Sequence, residues 1–188
     1  MSFQAVLYSD LNCPFCYALE ERLVAAGALT LVEWRGVQHE PGLPAPMEIA
    51  TYKLSRTLEK EVLTVRETAP EVEIFFPLGK PNTSLAIEYV AAAQKRDAML
   101  AALYRHTLAR EFWVHGSDLS DEKLLQAWGQ EVGLPFLSSG KESHETALIW
   151  QSEWEKLGTG SVPTLQREDG ALAVGLMSVE SIREFFGL

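Results

Sequence analysis

Cys13-Pro14-Phe15-Cys16 places two thiols at C-x-x-C spacing, and the chain has no other cysteine. Upstream, Gln4 to Ser9 is a short apolar run that reads as a strand, and Asp10-Leu11-Asn12 reads as a turn. Downstream, Cys16, Leu19 and Leu23 recur at helical spacing, which turns Glu20, Glu21 and Arg22 away from the core. Cys13 then sits at or just before the first helical turn, with Pro14 at a favoured early position. Unpaired N–H groups and the helix dipole favour negative charge there. The thiolate is the reactive form of cysteine, so Cys13 is expected to have a lowered pKa and to attack. Cys16, one turn deeper on the apolar face, is expected to be more buried and to resolve the mixed disulfide.

Other uses of the pair fit less well. A tetrahedral zinc site needs about four ligands. His39, His106, His115 and His144 do not pair at a zinc-finger interval, so no metal is expected. Two inert buried thiols would not need a helix start behind a strand. Asp10 is a candidate proton relay for the thiols. An Asp here more often simply forms a turn or caps the helix, and His39 reads as a solvent-facing loop residue.

With 188 residues and 47% hydrophobic content, the chain can build one substantial core. Its formal net charge of -10 disfavours nonspecific nucleic-acid binding and anionic membrane surfaces. No bilayer-spanning run and no secretory pattern is visible, so a cytoplasmic protein is expected. There, C-x-x-C is read as redox-active rather than as a structural staple.

Farther along, Thr30 to Val37 alternates like a strand, making a βαβ unit with a right-handed crossover. The proline-rich stretch from His39 to Pro46 marks a boundary. The sequence is then helical to about Gly160. Glu48 to Glu67 carries a stripe of Leu54, Leu58, Val62 and Val65, and Pro81-Asn82-Thr83 offers an N-cap. Ser120 is a candidate N-cap with Leu119 stapled onto Leu124, and Gly133 fits the position after that helix. Trp150 and Trp154, like Phe112 and Trp113, read as core. Pro163 to Arg167 and Ala171 to Val174 flank a hairpin turn, and Ser178 caps a terminal helix. The division is residues 1–40 and 160–188 as one discontinuous domain, with 41–159 as a helical insertion.

Strand, C-x-x-C, helix, strand, then strand, strand, helix is the order of the α/β thioredoxin fold. With a helical block between the halves, the chain resembles the DsbA family of thiol–disulfide oxidoreductases. Cys13-Pro14-Phe15-Cys16 and Gly160-Ser161-Val162-Pro163-Thr164 match its two signatures. The resemblance is nearest to the cytoplasmic FrnE-like branch, beside the 2-hydroxychromene-2-carboxylate isomerases and kappa-class glutathione transferases. Trp34-Arg35, Glu40-Pro41, Asn82-Thr83 and Asp118 to Asp121 contribute to that likeness.

The resemblance implies a cis Val162–Pro163 bond facing the thiols, with the backbone of Val162 open to a bound chain. It implies Cys13 and Cys16 as the catalytic pair, with Pro14, Phe15 and Pro163 in support, to which Asp10 is added for its closeness to Cys13. No cofactor beyond the redox disulfide is implied. The partners are disulfide- or thiol-containing proteins, or glutathione as co-substrate, and the molecule is a monomer or homodimer. Three departures stand out. Isomerases and kappa transferases usually have serine where Cys13 stands, and Gly175-Leu176-Met177-Ser178 replaces the kappa Gly-Ser-Asp-like element. Phe15 occupies the place of the histidine in the periplasmic oxidants and donates no hydrogen bond to a Cys13 thiolate, which implies a milder oxidant. Pro-Phe is closer to the Pro-aromatic pair of glutaredoxins, with potentials of about -200 to -230 mV. A glutathione-dependent transferase or isomerase using one thiol, and a redox-switched binding protein, are the alternatives.

Overall fold

A computed structural model describes residues 3–188. Strand β1 (Ala5–Ser9) lies between two partners in a four-stranded sheet. It runs parallel to β2 (Val32–Gly36), with Leu7 opposite Trp34, and antiparallel to β3 (Thr164–Arg167), with Leu7 opposite Leu165. The hairpin strand β4 (Leu172–Val174) completes the order β2-β1-β3-β4. Helix α1 (Pro14–Ala26) makes the crossover between the parallel strands and ends at Gly27, whose positive φ of 73° and N–H bonds to Leu23 and Val24 close its last turn. This is the expected βαβ…ββα arrangement.

Between the halves run α2 (Tyr52–Thr68), α3 (Ser84–Arg96), α4 (Ala98–Trp113), α5 (Glu122–Glu131) and α6 (Lys141–Leu157). The terminal helix α7 (Val179–Phe186), capped by Ser178, packs on α1. Leu58, Val62 and Val65 are buried as the stripe on α2 predicts, and all four aromatic core expectations hold. Trp34 of β2 meets the edge of Trp150 on α6. Buried side chains from the sheet, α1, α7 and the intervening helices form one continuous cluster. Among the described residues no helix is long and apolar enough to cross a membrane.

Several boundaries differ from expectation. The second strand begins at Val32, because Leu29–Leu31 form a single 3-10 turn. Helix α2 begins at Tyr52 rather than Glu48. Ala50 donates its N–H to Leu78 O at 2.8 Å, so the preceding residues are engaged by another segment, and Thr51 caps. The cap of α5 is Asp121, not Ser120, whose hydroxyl is taken by Asp118. Thr83 occupies the position before α3, but its hydroxyl makes no cap bond.

The largest departure lies on α1. Glu20 and Arg22 are buried rather than turned to solvent. Arg22 donates to Glu71 at 2.7 Å, to Met177 O at 2.8 Å and to Thr68 O at 2.6 Å, tying α1 to the end of α2 and the approach to α7. Glu20 receives Arg105 of α4 at 2.9 Å. Beside it, half-buried Glu21 is 2.7 Å from His106 Nε2. That hydrogen bond raises the His106 pKa above its ordinary value and lowers that of Glu21. The histidine contribution is therefore full below the unfolded pKa of about 6.5 and is lost as pH rises through the raised folded value. The Glu21 side is present above its unfolded value and is lost in acid. Urea midpoints at pH 5.5 and 8 are expected to show His106→Gln erasing a fall of under about 1 kcal/mol, since the pair is partly screened. An unchanged fall in the variant counts against the pair.

Candidate functional site

The turn Asp10-Leu11-Asn12 hands β1 to α1 and places Cys13 at the N-cap, with extended φ -99° and ψ 121°, and Pro14 at the first helical position. Cys13 donates its N–H to Asp10 O at 3.1 Å and accepts from Tyr17 N at 3.1 Å. The helical block grips this turn from outside. Trp113 Nε1 donates to Leu11 O at 3.0 Å, and Asn12 Nδ2 to Pro81 O at 2.8 Å.

Both thiols are buried and free. Burial pushes Cys13 up, but the Cys16 hydrogen bond and the His39 charge outweigh it, leaving the thiol below its ordinary value. Burial pushes Cys16 well up, and donating its hydrogen bond to Cys13 pushes it further. The sequence expectation of a lowered Cys13 holds in direction. Cys16 is not much more buried than Cys13, so electrostatic position rather than depth separates the pair.

Across from the thiols, the peptide bond Val162–Pro163 is cis. The loop is fixed by two donors on Ser161 O, Trp154 Nε1 at 3.1 Å and Thr164 Oγ1 at 2.8 Å. Val162 O lies 3.8 Å from Cys13 Sγ. Val162 thus lies across from Cys13, and Pro14 and Phe15 follow Cys13 in the first turn of α1. Phe15 is partly buried, and its other side lines an open groove with Tyr52, Arg56 and Lys60 of α2.

Asp10 is more than a turn former. Its buried side chain accepts His39 N at 3.1 Å, His39 Nδ1 at 2.8 Å and Thr83 Oγ1 at 2.7 Å. That is where the Thr83 hydroxyl goes instead of capping α3. The expectation of a solvent-facing His39 is corrected. Its ring is three-quarters covered, held through Nδ1 by Asp10 and approached at Nε2 by Lys80 Nζ at 3.2 Å. Lys80, nearly fully buried, is also 2.7 Å from Glu40. Sequence reasoning missed Lys80 altogether. Among the described residues no group of three or more His, Cys, Asp or Glu is placed to hold a metal ion.

A thioredoxin-fold sheet with a C-x-x-C helix start opposite a cis-proline loop defines a dithiol site. The chain belongs to the DSBA-like thioredoxin domain family, whose model matches residues 4–147. Among solved structures it is similar to a probable DsbA oxidoreductase from Streptomyces coelicolor, at 14% identity and TM-score 0.74 over 97% of this chain and 89% of that one. It is similar to the cytosolic disulfide reductase DsbM from Pseudomonas aeruginosa, solved with GSH, at 18% identity and TM-score 0.71 over 97% and 96%. A 2-hydroxychromene-2-carboxylate isomerase aligns at 14% identity and TM-score 0.67 over 97% and 91%. At such identities the likeness is one of fold. No curated protein matches the sequence.

Proposed function

We propose that the protein is a thiol–disulfide oxidoreductase with Cys13 as nucleophile and Cys16 as resolving thiol. The observation that carries this reading is geometric: two free, buried thiols at the start of α1 face the cis Val162–Pro163 loop, with Val162 O 3.8 Å from Cys13 Sγ. The Cys13 thiolate attacks a substrate disulfide, forming Cys13–S–S–R and releasing the other half as thiolate. Cys16 then gives up its proton and attacks the Cys13 sulfur, and the second thiolate leaves. Two electrons pass to the substrate and the protein is left with a Cys13–Cys16 disulfide; the reverse sequence oxidises a dithiol.

Pro163 shapes the facing wall, and the Val162 backbone pairs with the bound chain. The two sulfurs carry the electrons, so no metal, flavin or nicotinamide is required. Clients are disulfide- or thiol-containing proteins, with glutathione as a co-substrate. The activity is placed in the cytoplasm, in keeping with the FrnE-like sequence features and with the cytosolic DsbM relative by fold.

Equilibration of the protein against glutathione buffers tests the reading. A reversible two-electron transition near the glutaredoxin range of about -200 to -230 mV is expected. Cys16→Ser is expected to stop at a mixed disulfide on Cys13, detectable by mass. Normal completion of exchange without Cys16, or glutathione addition to Cys13 with no intramolecular disulfide in the parent, favours the glutathione-dependent isomerase or transferase instead.

A further inference from the structure

Beside the thiols lies a cluster that the exchange chemistry above does not use, joined to them through the turn in which Cys13 donates its N–H to Asp10 O at 3.1 Å. It is assembled from three separate segments: the turn before α1, the loop after β2 and the loop before α3. Asp10, from the first, is almost wholly inaccessible. It takes both the backbone N–H and ring Nδ1 of His39, so the segment is anchored and the ring cannot flip without losing its bond to Asp10. Thr83 fills the other carboxyl oxygen. Lys80 comes from the third segment, buried between Gly79 and Pro81, and reaches the opposite ring nitrogen of His39 while also facing Glu40. A buried ammonium is costly without a paired charge or hydrogen bonds, and the Glu40 carboxylate lies 2.7 Å away.

We infer that Asp10, His39, Lys80 and Glu40 form one charge array that sets how much of Cys13 is thiolate, with His39 as its switch. The inference rests on the reading of Cys13 as the attacking thiol. Asp10 favours the imidazolium and Lys80 opposes it, leaving the ring poised rather than permanently charged. Histidine is the side chain whose ordinary titration falls in the range where such poise matters. The charged groups facing the ring from all packed segments are Asp10, Lys80 and Cys13, with Glu40 behind Lys80. Their balance lifts the His39 pKa despite burial, and Cys13 and His39 each favour the other's ionised form. In the net step the Sγ–H bond of Cys13 breaks, the electron pair stays on sulfur and the proton leaves to a base in solution, while the charged His39 ring favours the resulting thiolate through space. Asp10 and Lys80 act through His39 and are positioning residues.

The test is the pH profile of Cys13 alkylation by iodoacetamide, with the modified residue identified by mass. His39→Gln is expected to move the profile to higher pH and slow alkylation at pH 6 about tenfold. A rate changed equally at every pH, or a profile that does not move, overturns the inference. Asp10→Asn adds a second reading. In the His39→Gln background it is expected to speed alkylation, because a neighbouring negative charge is gone. With His39 present the gain is expected to shrink or reverse, because the imidazolium is lost with it. Equal effects in both backgrounds overturn the role given to Asp10.

Should His39→Gln fail to fold, the parent protein still decides. NMR titration of the His39 ring is expected to show a lower pKa after Cys13 is capped with iodoacetamide than before, by reciprocity of the coupling. An identical titration overturns the array. Neither readout requires disulfide exchange, so a protein that passes both yet exchanges no disulfides refutes the proposed function and leaves the array standing.

Discussion

Cys13→Ser is expected to abolish disulfide exchange while leaving the fold intact. The loss is expected to reach about 10^4-fold or more, the scale for removing a covalent nucleophile. A serine hydroxyl does not ionise in the working pH range and cannot form a disulfide, so both the attack and the storage of electrons disappear. The fold has little reason to object. Cys13 occupies the N-cap of α1 without making a side-chain cap bond. Serine is among the favoured residues at that position, and the swap is expected to be neutral or stabilising by up to about 1 kcal/mol. Insulin reduction followed beside a urea unfolding curve separates the two effects. Retained exchange in this variant would remove Cys13 from the mechanism. Activity lost together with the unfolding transition would make its contribution structural instead.

Arg105→Met is expected to be the most damaging single change in the helical framework. Arg105 and Glu20 have side chains only 4% exposed each and meet at 2.9 Å. The guanidinium also stands 5.5 Å from the Trp34 ring centroid. Removing one partner strands the other charge in a site almost closed to solvent, which typically costs about 3–5 kcal/mol. Replacing both, as Glu20→Met with Arg105→Met, is expected to recover most of that loss, because no unpaired charge then remains. Urea unfolding of the parent, the single and the double variants measures this. A single variant within about 1 kcal/mol of the parent would show the pair to be well solvated, contrary to its burial.

That ion pair also marks where local reading of the sequence stops. The spacing of Cys16, Leu19 and Leu23 locates α1 and its buried stripe, and Gly27 ends it where expected. The same spacing assigns Glu20 and Arg22 to solvent, yet α1 is covered by α2, α4 and α7 on several sides. Their partners, Arg105 and Glu71, lie 85 and 49 positions away, and helical periodicity has no access to such distances. The two cysteines and the Val162–Pro163 loop were legible because each lies in a short signature with its own local chemistry. His39 was misplaced because nothing beside it in sequence resembles Asp10. Lys80 gave no signal, since a lysine between glycine and proline is an ordinary loop composition. Thr83 gave a misleading one: its cap-like position is real, but its hydroxyl serves a carboxyl 73 residues earlier.

The placement of β3 has a consequence for the newborn chain. The thiols belong to the first sixteen residues, but the loop that faces them and the strand that pairs Leu7 with Leu165 arrive near the end. At ribosomal speeds of roughly 5–20 residues per second, about 150 residues separate the two events by several seconds or more. During that interval β1 has one unpaired edge, the kind of edge that invites pairing with other chains. Cys13 meanwhile lacks the wall formed by Val162. The protein therefore passes through a stage in which the thiol proposed as its nucleophile is made but unguarded, and its own architecture gives that thiol no facing wall until the last strands close.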